Sequence, residues 1–402
     1  MKRKSTSAPR SATRSTSRPK RKKMLVFGRP VILEDEIREV VATMRSGWLG
    51  TGPRVAKFEE AFRKYAGAAH AMAVNSCTAG LHLSLLALGL KPGAEVITTP
   101  MTFCATANAI IHAGCVPVFA DCERDTMNIS PDQIAGKVSE RTLAVLPVHF
   151  AGRPCDMAAI MAVARARSLR VVEDCAHAVE ATIDGRHVGT FGDLGCFSFY
   201  VTKNVTTVEG GMVAAADPEF EGRIKVLALH GMTKDAWKRF SDEGYKHYQV
   251  VEPGFKYNMT DIQAAVGLHQ LARVEANYKR RTRIWARYME AFGGLPCRLP
   301  SEPAPGTRHA RHLFTLVIDT DALGKSRDDV LGELTRDNIG CGVHYTALHL
   351  HPYYRERFGY KEGDFPNAEY IGERTLSIPL SPGLTDDDAD DVIAAVRKAL
   401  GG

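Results

Sequence analysis

Hydrophobic and polar positions change their spacing along the chain in a way that predicts alternating helices and strands. Residues 34–46 and 53–66 carry apolar side chains at helical intervals, with Val55, Phe58 and Phe62 on one face of the second segment. From about residue 71, short continuous apolar runs alternate with helical stretches. The runs that predict strands are AMAVNS, EVITTP, VPVFADC, TLAVLPVHF, LRVVEDC, GCFSFYVT and GGMVAAA. Buried strands separated by helices indicate a mostly parallel sheet covered on both faces.

The pattern changes near residue 262. A helical spacing continues without interruption over residues 261–292 and leads into the proline-rich stretch LPSEPAPGT. A strand (HLFTLVID), a helix (RDDVLGELTRDN), a strand-like piece (GCGVHY) and a terminal helix then follow. We therefore expect a large domain over residues 24–262 and a smaller α/β domain over residues 263–402, joined by one long helix.

The composition limits the class of protein. The 402 residues are 45% hydrophobic and 24% charged, which is typical of a packed globular protein and excludes a fully disordered chain, a collagen-like repeat or a small disulfide-stapled scaffold. No apolar run reaches the ~18 residues that a membrane-spanning helix requires. Because none of the nine cysteines has CxxC spacing, we expect reduced thiols in the cytoplasm and no zinc knuckle.

The net charge of +6 comes from the N-terminal end of the chain. Residues 1–23 contain ten Lys and Arg and no acidic residue, whereas the rest of the chain carries 42 basic and 46 acidic side chains, a balance of −4. This run has too little apolar surface to offset its ordering entropy, so we expect a disordered basic tail. It lacks the apolar core of a secretory signal. Contact with nucleic acid through charge is one interpretation, and we favour an incidental extension before Met24.

Three of the predicted strands end in polar residues, at the sheet edge where α/β proteins bind ligands. Residues 75–80 (NSCTAG) begin a helix whose free N–H groups attract an anion, although taken alone an ordinary helix cap explains them better. Asp174 ends the strand LRVVED, where a carboxylate needs a cationic or hydrogen-bonding partner or serves as a cap. Lys203 follows the strand FSFYVT; desolvation there favours imine formation with an aldehyde, although most lysines are simply exposed.

Together the three strand ends fit pyridoxal 5'-phosphate (PLP). Cys77 and Thr78 lie in the segment that would hold the phosphate, and Asp174 would keep the ring nitrogen protonated. Lys203, 29 residues further on, would bind the aldehyde as a Schiff base. Each segment alone has an ordinary structural explanation, but the combination in this chain order favours a PLP enzyme.

The sequence resembles the sugar-nucleotide aminotransferases of PLP fold type I, the DegT/StrS-like family, over nearly all of residues 24–402. The matching segments are SGWLGTGPRVAKFEEAF, NSCTAGLHLSLLALGL, PMTFCATANAIIHAGCVPVFAD, PVHFAGRPCDM, VVEDCAHAV, DGRHVG, FSFYVTKNVTTVEGGM, GFKYNMTDIQAAVGLHQL and IPLSPGLTDDDADDVI. Within the family it is most similar to the UDP-4-amino-4-deoxy-L-arabinose–oxoglutarate aminotransferases, which aminate C4 of a UDP-4-keto sugar. The resemblance implies an aspartate aminotransferase-like fold, with a mostly parallel seven-stranded sheet in the large PLP-binding domain and a smaller α/β C-terminal domain.

The resemblance also implies roles for individual residues. Lys203 matches the Schiff-base lysine, Asp174 the partner of the pyridine nitrogen, and His177 the Gln or His near the ring hydroxyl. The other matching positions are Phe103, which stacks on the ring, Cys77, Thr78 and Ser198, which hold the phosphate, and Asn258, which reaches the phosphate from the neighbouring subunit. The match at Asn258 implies a homodimer with composite active sites. Cys77 departs from the family pattern, which commonly has Gly or Ala there.

By the same resemblance, the protein transfers an amino group from glutamate to a nucleotide-linked keto sugar in two half-reactions, releasing 2-oxoglutarate in the first. Lys203 serves as covalent anchor and as the acid/base group that moves a proton. His344 and Tyr345 lie in a VHY segment that borders the substrate pocket in the family, so they are candidate sugar contacts. His344, His349 and His351 lack carboxylate or thiolate partners at ligand spacing, so we expect no metal site.

Three other functions remain open from the sequence. One is amination at C3 of a dTDP- or UDP-3-keto sugar, or of a cyclitol ketone. Enzymes for these substrates would differ from a C4 aminotransferase mainly in specificity loops such as residues 231–253. A PLP sugar dehydratase of the same fold has His in place of the lysine, so Lys203 argues against it. A non-catalytic nucleic-acid-binding regulator is suggested only by the basic tail, and salt-sensitive DNA binding that is lost without residues 1–23 would favour it. We expect neither a membrane nor a nucleic acid as partner.

Overall fold

The computed structural model describes residues 21–233 and 248–402, which form helices and strands in alternation. The strands are β1 (His70–Val74), β2 (Glu95–Thr98), β3 (Val116–Phe119), β4 (Thr142–Val145), β5 (Arg170–Asp174), β6 (Thr182–Ile183), β7 (Arg186–His187), β8 (Leu194–Ser198), β9 (Gly211–Ala215), β10 (Cys297–Arg298), β11 (Thr307–Arg308), β12 (Phe314–Ile318) and β13 (Thr375–Ile378). The helices are α1 (Glu34–Ser46), α2 (Pro53–Ala66), α3 (Cys77–Ala87), α4 (Cys104–His112), α5 (Pro131–Lys137), α6 (Met157–Ala166), α7 (Pro218–Leu227), α8 (Asp261–Ala272), α9 (Val274–Phe292), α10 (Thr320–Leu323), α11 (Arg327–Arg336), α12 (Pro352–Phe358), α13 (Pro366–Arg374) and α14 (Asp386–Ala399).

A seven-stranded sheet with the order β1-β9-β8-β5-β4-β2-β3 lies at the centre of the fold. The pairs β2–β3, β2–β4, β4–β5 and β5–β8 are parallel, whereas β9 runs antiparallel to both β1 and β8. The predicted mostly parallel sheet of seven strands is therefore confirmed. Because only β9 is reversed, the carboxyl ends of the other six strands lie at one edge of the sheet.

Apolar cores cover both faces of this sheet, as the continuous hydrophobic strands predict. Successive residues of a strand point to opposite faces, so Phe197 of β8 packs with Phe58 and Phe62 of α2, while its neighbour Cys196 packs with Leu81 of α3. Phe62 and Phe197 meet edge to face, with their ring centroids 4.9 Å apart. The sheet is thereby held between α2 on one side and α3 on the other.

A second sheet of three antiparallel strands, β10-β12-β13, packs with α9, α11 and α14 around its own apolar core. The prediction of a strand at residues 340–345 (GCGVHY) is wrong, because that segment makes only an isolated bridge between Gly342 and Ser377. The strand at the edge of this sheet is instead β13, from the segment TLSI.

The single long helix predicted over residues 261–292 is also wrong, because it is broken at Arg273 into α8 and α9. The backbone of Arg273 leaves the helical region at φ −109° and ψ 9°, and its guanidinium binds the carbonyl of Val31 (2.8 Å) and the carboxylate of Glu36. Helix α8 packs on α1 and α2, whereas α9 packs on α14. The hydrophobic spacing continues through the break because α8 and α9 each bury an apolar face, although they bury it against different helices.

Parts of two predicted segments lie outside the described residues: residues 1–20 of the basic tail and residues 234–247 of the 231–253 loop. At the end of the tail, Arg21 forms ion pairs with Asp388 (2.6 Å) and Asp391 (2.7 Å) of α14. Among the helices of the described residues, none is long and apolar enough to span a membrane. The predicted boundary between domains at residues 262 and 263 coincides with the start of α8 and stays a prediction.

Candidate active site

The carboxyl edge of the seven-stranded sheet brings together the three segments singled out from the sequence. β1 leads into α3 at Cys77, β5 ends at Asp174, and β8 ends at Ser198, five residues before Lys203. β8 is adjacent to β5 on one side and to β9 on the other, and β9 is adjacent to β1. The charge of Asp174 and the Cys77 thiol both act on the pKa of Lys203, so the three groups share one cleft.

The first turn of α3 presents free backbone donors to this cleft. Ser76 is the N-cap, and its hydroxyl accepts a hydrogen bond from the N–H of Ala79 (3.1 Å). The N–H groups of Cys77 and Thr78 lie before the first intrahelical bond and have no acceptor in the described part of the chain. Two free N–H groups at the positive end of a helix dipole form a binding site for a phosphate group.

Gly211 at the start of β9 lies directly against this turn. An added Cβ at Gly211 would fall 2.7 Å from the amide nitrogen of Cys77, so only glycine leaves the donor accessible. Gly211 pairs with Ser198 across the β8–β9 ladder. Ser198 is thus placed near the same end of α3, and its role as a phosphate ligand stays a prediction.

Asp174 is buried, with 4% of its surface exposed, and is held by two hydrogen bonds. Its Oδ1 accepts from the N–H of Ala176 (3.0 Å) and its Oδ2 from the hydroxyl of Thr106 (2.9 Å). Burial raises the pKa of Asp174, while the two hydrogen bonds and the charge of Lys203 lower it. Thr106 is not among the predicted site residues; the sequence feature that points to it is its position three residues after Phe103, in the first turn of α4.

Glu173, the neighbour of Asp174, binds the loop that contains residues 189–192. Its Oε1 accepts from the N–H groups of Phe191 and Gly192 (2.7 Å each), and its Oε2 from the N–H of Gly189 (2.7 Å) and from Nε2 of His149 (3.0 Å). Within the described residues, His149, Glu173 and Cys175 form the one cluster with three ligand atoms within 4.8 Å of each other. The four hydrogen bonds satisfy the carboxylate without a cation.

Lys203 lies half-buried in the turn that follows β8, where its N–H donates to the carbonyl of Tyr200 (2.9 Å). Burial lowers the pKa of its ε-amino group to about 8, against the opposing influence of Cys77 and Asp174. A fraction of this amine is therefore neutral near neutral pH, which is the form that attacks an aldehyde.

Aromatic and imidazole side chains lie near Lys203, whose charge, besides burial, contributes to lowering the pKa values of His177 and His344. Tyr345 contacts His177 through its hydroxyl (3.2 Å to Nε2), and its ring centroid lies 6.0 Å from that of Phe103. Phe103 is 58% exposed, so its ring borders open space at the end of β2. Burial and the charge of Lys203 lower the pKa of His344 to about 4, and its Nδ1 contacts the hydroxyl of Ser377 (2.9 Å). The structure thus gathers His177, His344 and Tyr345 at one cleft.

Asn258 and the other two histidines lie apart from this group. Asn258 forms a backbone bridge with Val74 and donates from Nδ2 to the hydroxyl of Thr51 (2.7 Å), and its buried Oδ1 has no partner in the described part of the chain. His349 contacts Glu369 (2.8 Å), and His351 is exposed. The cross-subunit role of Asn258 stays a prediction.

The residues of this cleft fit PLP on the chemistry of their groups. The first turn of α3 offers donors for a phosphate, Asp174 offers a buried carboxylate for a protonated ring nitrogen, and Lys203 offers a primary amine of lowered pKa for an aldehyde. Such a set on a mostly parallel sheet is that of a PLP-dependent enzyme of fold type I.

The chain belongs to the DegT/DnrJ/EryC1/StrS aminotransferase family, whose model matches residues 30–397. It is 50% identical over 384 residues to the spore coat polysaccharide biosynthesis protein SpsC of Bacillus subtilis, covering 95% of this chain and 99% of SpsC. Two solved structures are similar over 94% of this chain and 99% of their own. They are the PMP form of Spr1654 from Streptococcus pneumoniae (33% identity, TM-score 0.88) and the aminotransferase TlmJ from Streptoalloteichus hindustanus (34% identity, TM-score 0.86).

These findings confirm the predicted family, the fold type and the cofactor. Spr1654 is also solved in a PLP form, with a TM-score of 0.87 to this chain. The protein is therefore a PLP-dependent sugar aminotransferase, and the alternative of a non-catalytic nucleic-acid-binding regulator is set aside.

We predict that Gly211→Ala weakens the binding of PLP. The added methyl would lie 2.7 Å from the Cys77 nitrogen and must displace either β9 or the first turn of α3. Loss of one hydrogen bond to a charged phosphate raises the Kd by about tenfold or more. The Kd is measured by titrating the apoenzyme with PLP. Gly136→Ala in α5 is the control, because a Cβ there meets no described atom within 4 Å. An unchanged Kd in Gly211→Ala would refute the phosphate site.

We predict that capture of PLP by the apoenzyme accelerates as the pH rises through about 8, the pKa of Lys203. The pKa is lowered by burial, so the reactive neutral amine predominates above pH 8 and is depleted below it. Stopped-flow absorbance of the lysine-bound cofactor at several pH values measures the rate. A rate that still climbs steeply above pH 9 would show that the amine keeps an ordinary lysine pKa.

Proposed function

We propose that this sugar aminotransferase transfers the amino group of glutamate to C4 of a nucleotide-linked keto sugar, a UDP-4-keto sugar, in the cytoplasm. The observation that carries the proposal is the shared cleft of Lys203, Asp174 and the first turn of α3. The segments EDCAHAV, GRHVG, GFKYNMTDI and YYRERF support C4 amination by their resemblance to enzymes of that branch. The likeness to SpsC, a polysaccharide biosynthesis protein, supports a sugar substrate that is built into a larger glycan.

The side chains of the cleft have different roles in the proposed transamination. When bound, PLP supplies an aldehyde carbon that takes up and releases the amino group and a ring that withdraws electrons from the carbon being deprotonated. Lys203 would hold the cofactor covalently and, as a free amine, would accept and donate the proton that moves in each half-reaction. A pKa of about 8 makes both protonation states available near neutral pH.

The remaining residues orient the cofactor and the sugar. Asp174, oriented by two hydrogen bonds, would pair with a protonated ring nitrogen, and that positive charge would oppose the burial that raises the pKa of Asp174. Phe103 would stack on the ring of the bound cofactor, and His177 would lie near the ring hydroxyl. Tyr345, hydrogen-bonded to His177, and its neighbour His344 then border the space left for the sugar.

A panel of substrates tests the proposed reaction. The purified enzyme with PLP and glutamate is offered UDP-4-keto, UDP-3-keto, dTDP-4-keto and dTDP-3-keto sugars, and products are followed by mass. We expect a UDP-4-amino sugar together with stoichiometric 2-oxoglutarate. Lys203→Ala is the control and should form neither product, because one group serves as anchor and as acid/base. Amination of a 3-keto sugar alone would contradict the assignment to C4.

We further propose that the enzyme works as a homodimer with composite active sites. Ile37, Val41 and Met44 lie on one face of α1 and are 47%, 37% and 60% exposed, which is typical of a surface that a second copy covers. This face leads toward Trp48, which lines a cavity of about 500 Å³ together with Asn258. Among the described residues, the Nδ2 of Asn258 donates only to Thr51, which leaves its second N–H as a donor for the phosphate of the neighbouring subunit's site.

Mixed dimers test whether Asn258 acts across the interface. Lys203→Ala and Asn258→Ala each remove one half of the composite site, so each variant alone should be nearly inactive. Dissociating and reassociating a 1:1 mixture gives heterodimers in about half of the molecules, each with one intact site, and should restore about a quarter of wild-type activity. If Asn258 served its own chain's site, the mixture would be no more active than the two variants measured separately.

A further inference from the structure

A series of buried polar side chains, linked by hydrogen bonds, extends from α9 to the cleft that contains Lys203. Arg281 of α9 and Glu180, both at most 1% exposed, form an ion pair. The Oε2 of Glu180 accepts a hydrogen bond from Nδ2 of Asn204 (2.8 Å), and Oδ1 of Asn204 contacts Nδ1 of His312 (3.1 Å). Asn204 directly follows Lys203 in the sequence, and the charge of Lys203, besides burial, contributes to lowering the pKa of His312, so this series of polar side chains ends at an imidazole near the reactive amine.

The hydrogen bonds of Asn204 fix the proton on His312. Nδ2 of Asn204 has two acceptors, the carboxylate of Glu180 and the carbonyl of Ala310 (3.2 Å), so the amide cannot be turned around. Its Oδ1 therefore faces His312 as an acceptor, and Nδ1 of His312 must carry the proton. Burial and the charge of Lys203 lower the pKa of His312 far below its usual range, which keeps the ring neutral. A neutral ring protonated at Nδ1 has a lone pair at Nε2.

The neighbouring His177 has the opposite arrangement. Its Nδ1 accepts from the N–H of Ala151 (3.2 Å), so its proton is on Nε2 and points to the hydroxyl of Tyr345 (3.2 Å). The rings of His177 and His312 are 4.6 Å apart. Both nitrogens of His177 are thus occupied by protein groups. Nε2 of His312 has no hydrogen-bond partner in the part of the chain that the structure describes.

We propose that Arg281, Glu180 and Asn204 hold His312 as the Nδ1-protonated tautomer so that its Nε2 accepts a hydrogen bond from the free amine of Lys203. His312 is then a positioning residue. A neutral amine that donates one N–H to His312 directs its lone pair to a fixed side, toward the carbon that loses its proton. This inference rests on the proposed function of Lys203 and adds the group that orients it in each half-reaction.

Two substitutions of His312 distinguish the role of Nε2 as a hydrogen-bond acceptor from the role of Nδ1 in binding Asn204. His312→Asn keeps a donor near the position of Nδ1, for Asn204, and removes the acceptor at the position of Nε2. His312→Gln places an amide oxygen near the position of Nε2 and gives up the link to Asn204. We expect His312→Asn to slow the half-reaction with glutamate by about ten- to a hundredfold and to increase the deuterium isotope effect at the glutamate α-carbon. His312→Gln should carry out the same half-reaction at least about tenfold faster than His312→Asn.

Capture of PLP by the apoenzyme gives a readout that needs neither glutamate nor a sugar. We expect the same order of rates there, with His312→Gln faster than His312→Asn, while thermal unfolding of each loaded variant confirms folding. Equal rates in the two variants, or a slower rate in His312→Gln, would overturn the proposal. Such a result would show that the rate depends on the hydrogen bond to Asn204 and not on an acceptor at the position of Nε2. If wild-type enzyme itself failed to react with glutamate, the proposed function, and not this inference alone, would fail.

The tautomer is also measurable in the unchanged protein. In ¹⁵N-histidine-labelled holoenzyme, the ring resonances that disappear in His312→Asn belong to His312. We expect the shift pattern of a neutral ring protonated at Nδ1. A ring protonated at Nε2 would overturn the proposal whatever rates the two variants show.

Discussion

The structure depends on placing the amine of Lys203 and the carboxylate of Asp174 in the same cleft, partly out of water. Either charge alone would be costly at the end of a buried strand, and each lowers that cost for the other. The sheet order makes this geometry unavoidable, because β5 and β8 are parallel neighbours whose carboxyl ends coincide. The same proximity leaves the lysine with a pKa at which it is both a nucleophile and a proton carrier.

Around this pair, two buried acidic side chains hold in place the segments that carry the functional groups. Glu173 uses both oxygens to tie the loop at Gly189–Gly192 to β5, and so fixes the strand whose next residue is Asp174. Glu180 serves a similar purpose on the other side of the cleft, where it joins α9 to the residue after Lys203. Two buried acidic residues close to the site thus support the backbone that carries the functional groups.

Local sequence patterns predicted the features that depend on neighbours in the chain. Continuous apolar runs identified the strands of the large sheet, and Asp174 and Lys203 were found because each follows such a run. The break at Arg273 was missed because hydrophobic spacing records burial and not the partner that provides it. β13 was missed because Thr375 and Ser377, although fully buried, interrupt its apolar run. His312, Asn204 and Glu180 come from separate segments, so only the folded chain shows that they are linked.

The central claim is that the amine of residue 203 is the one that binds the cofactor. Reducing the PLP-loaded enzyme with borohydride makes this link permanent, and peptide mass mapping then locates it. We expect one added cofactor per chain, on the peptide that contains Lys203, between Phe199 and Met212 in the sequence. A label on any other lysine, with the Lys203 peptide unmodified, would contradict it.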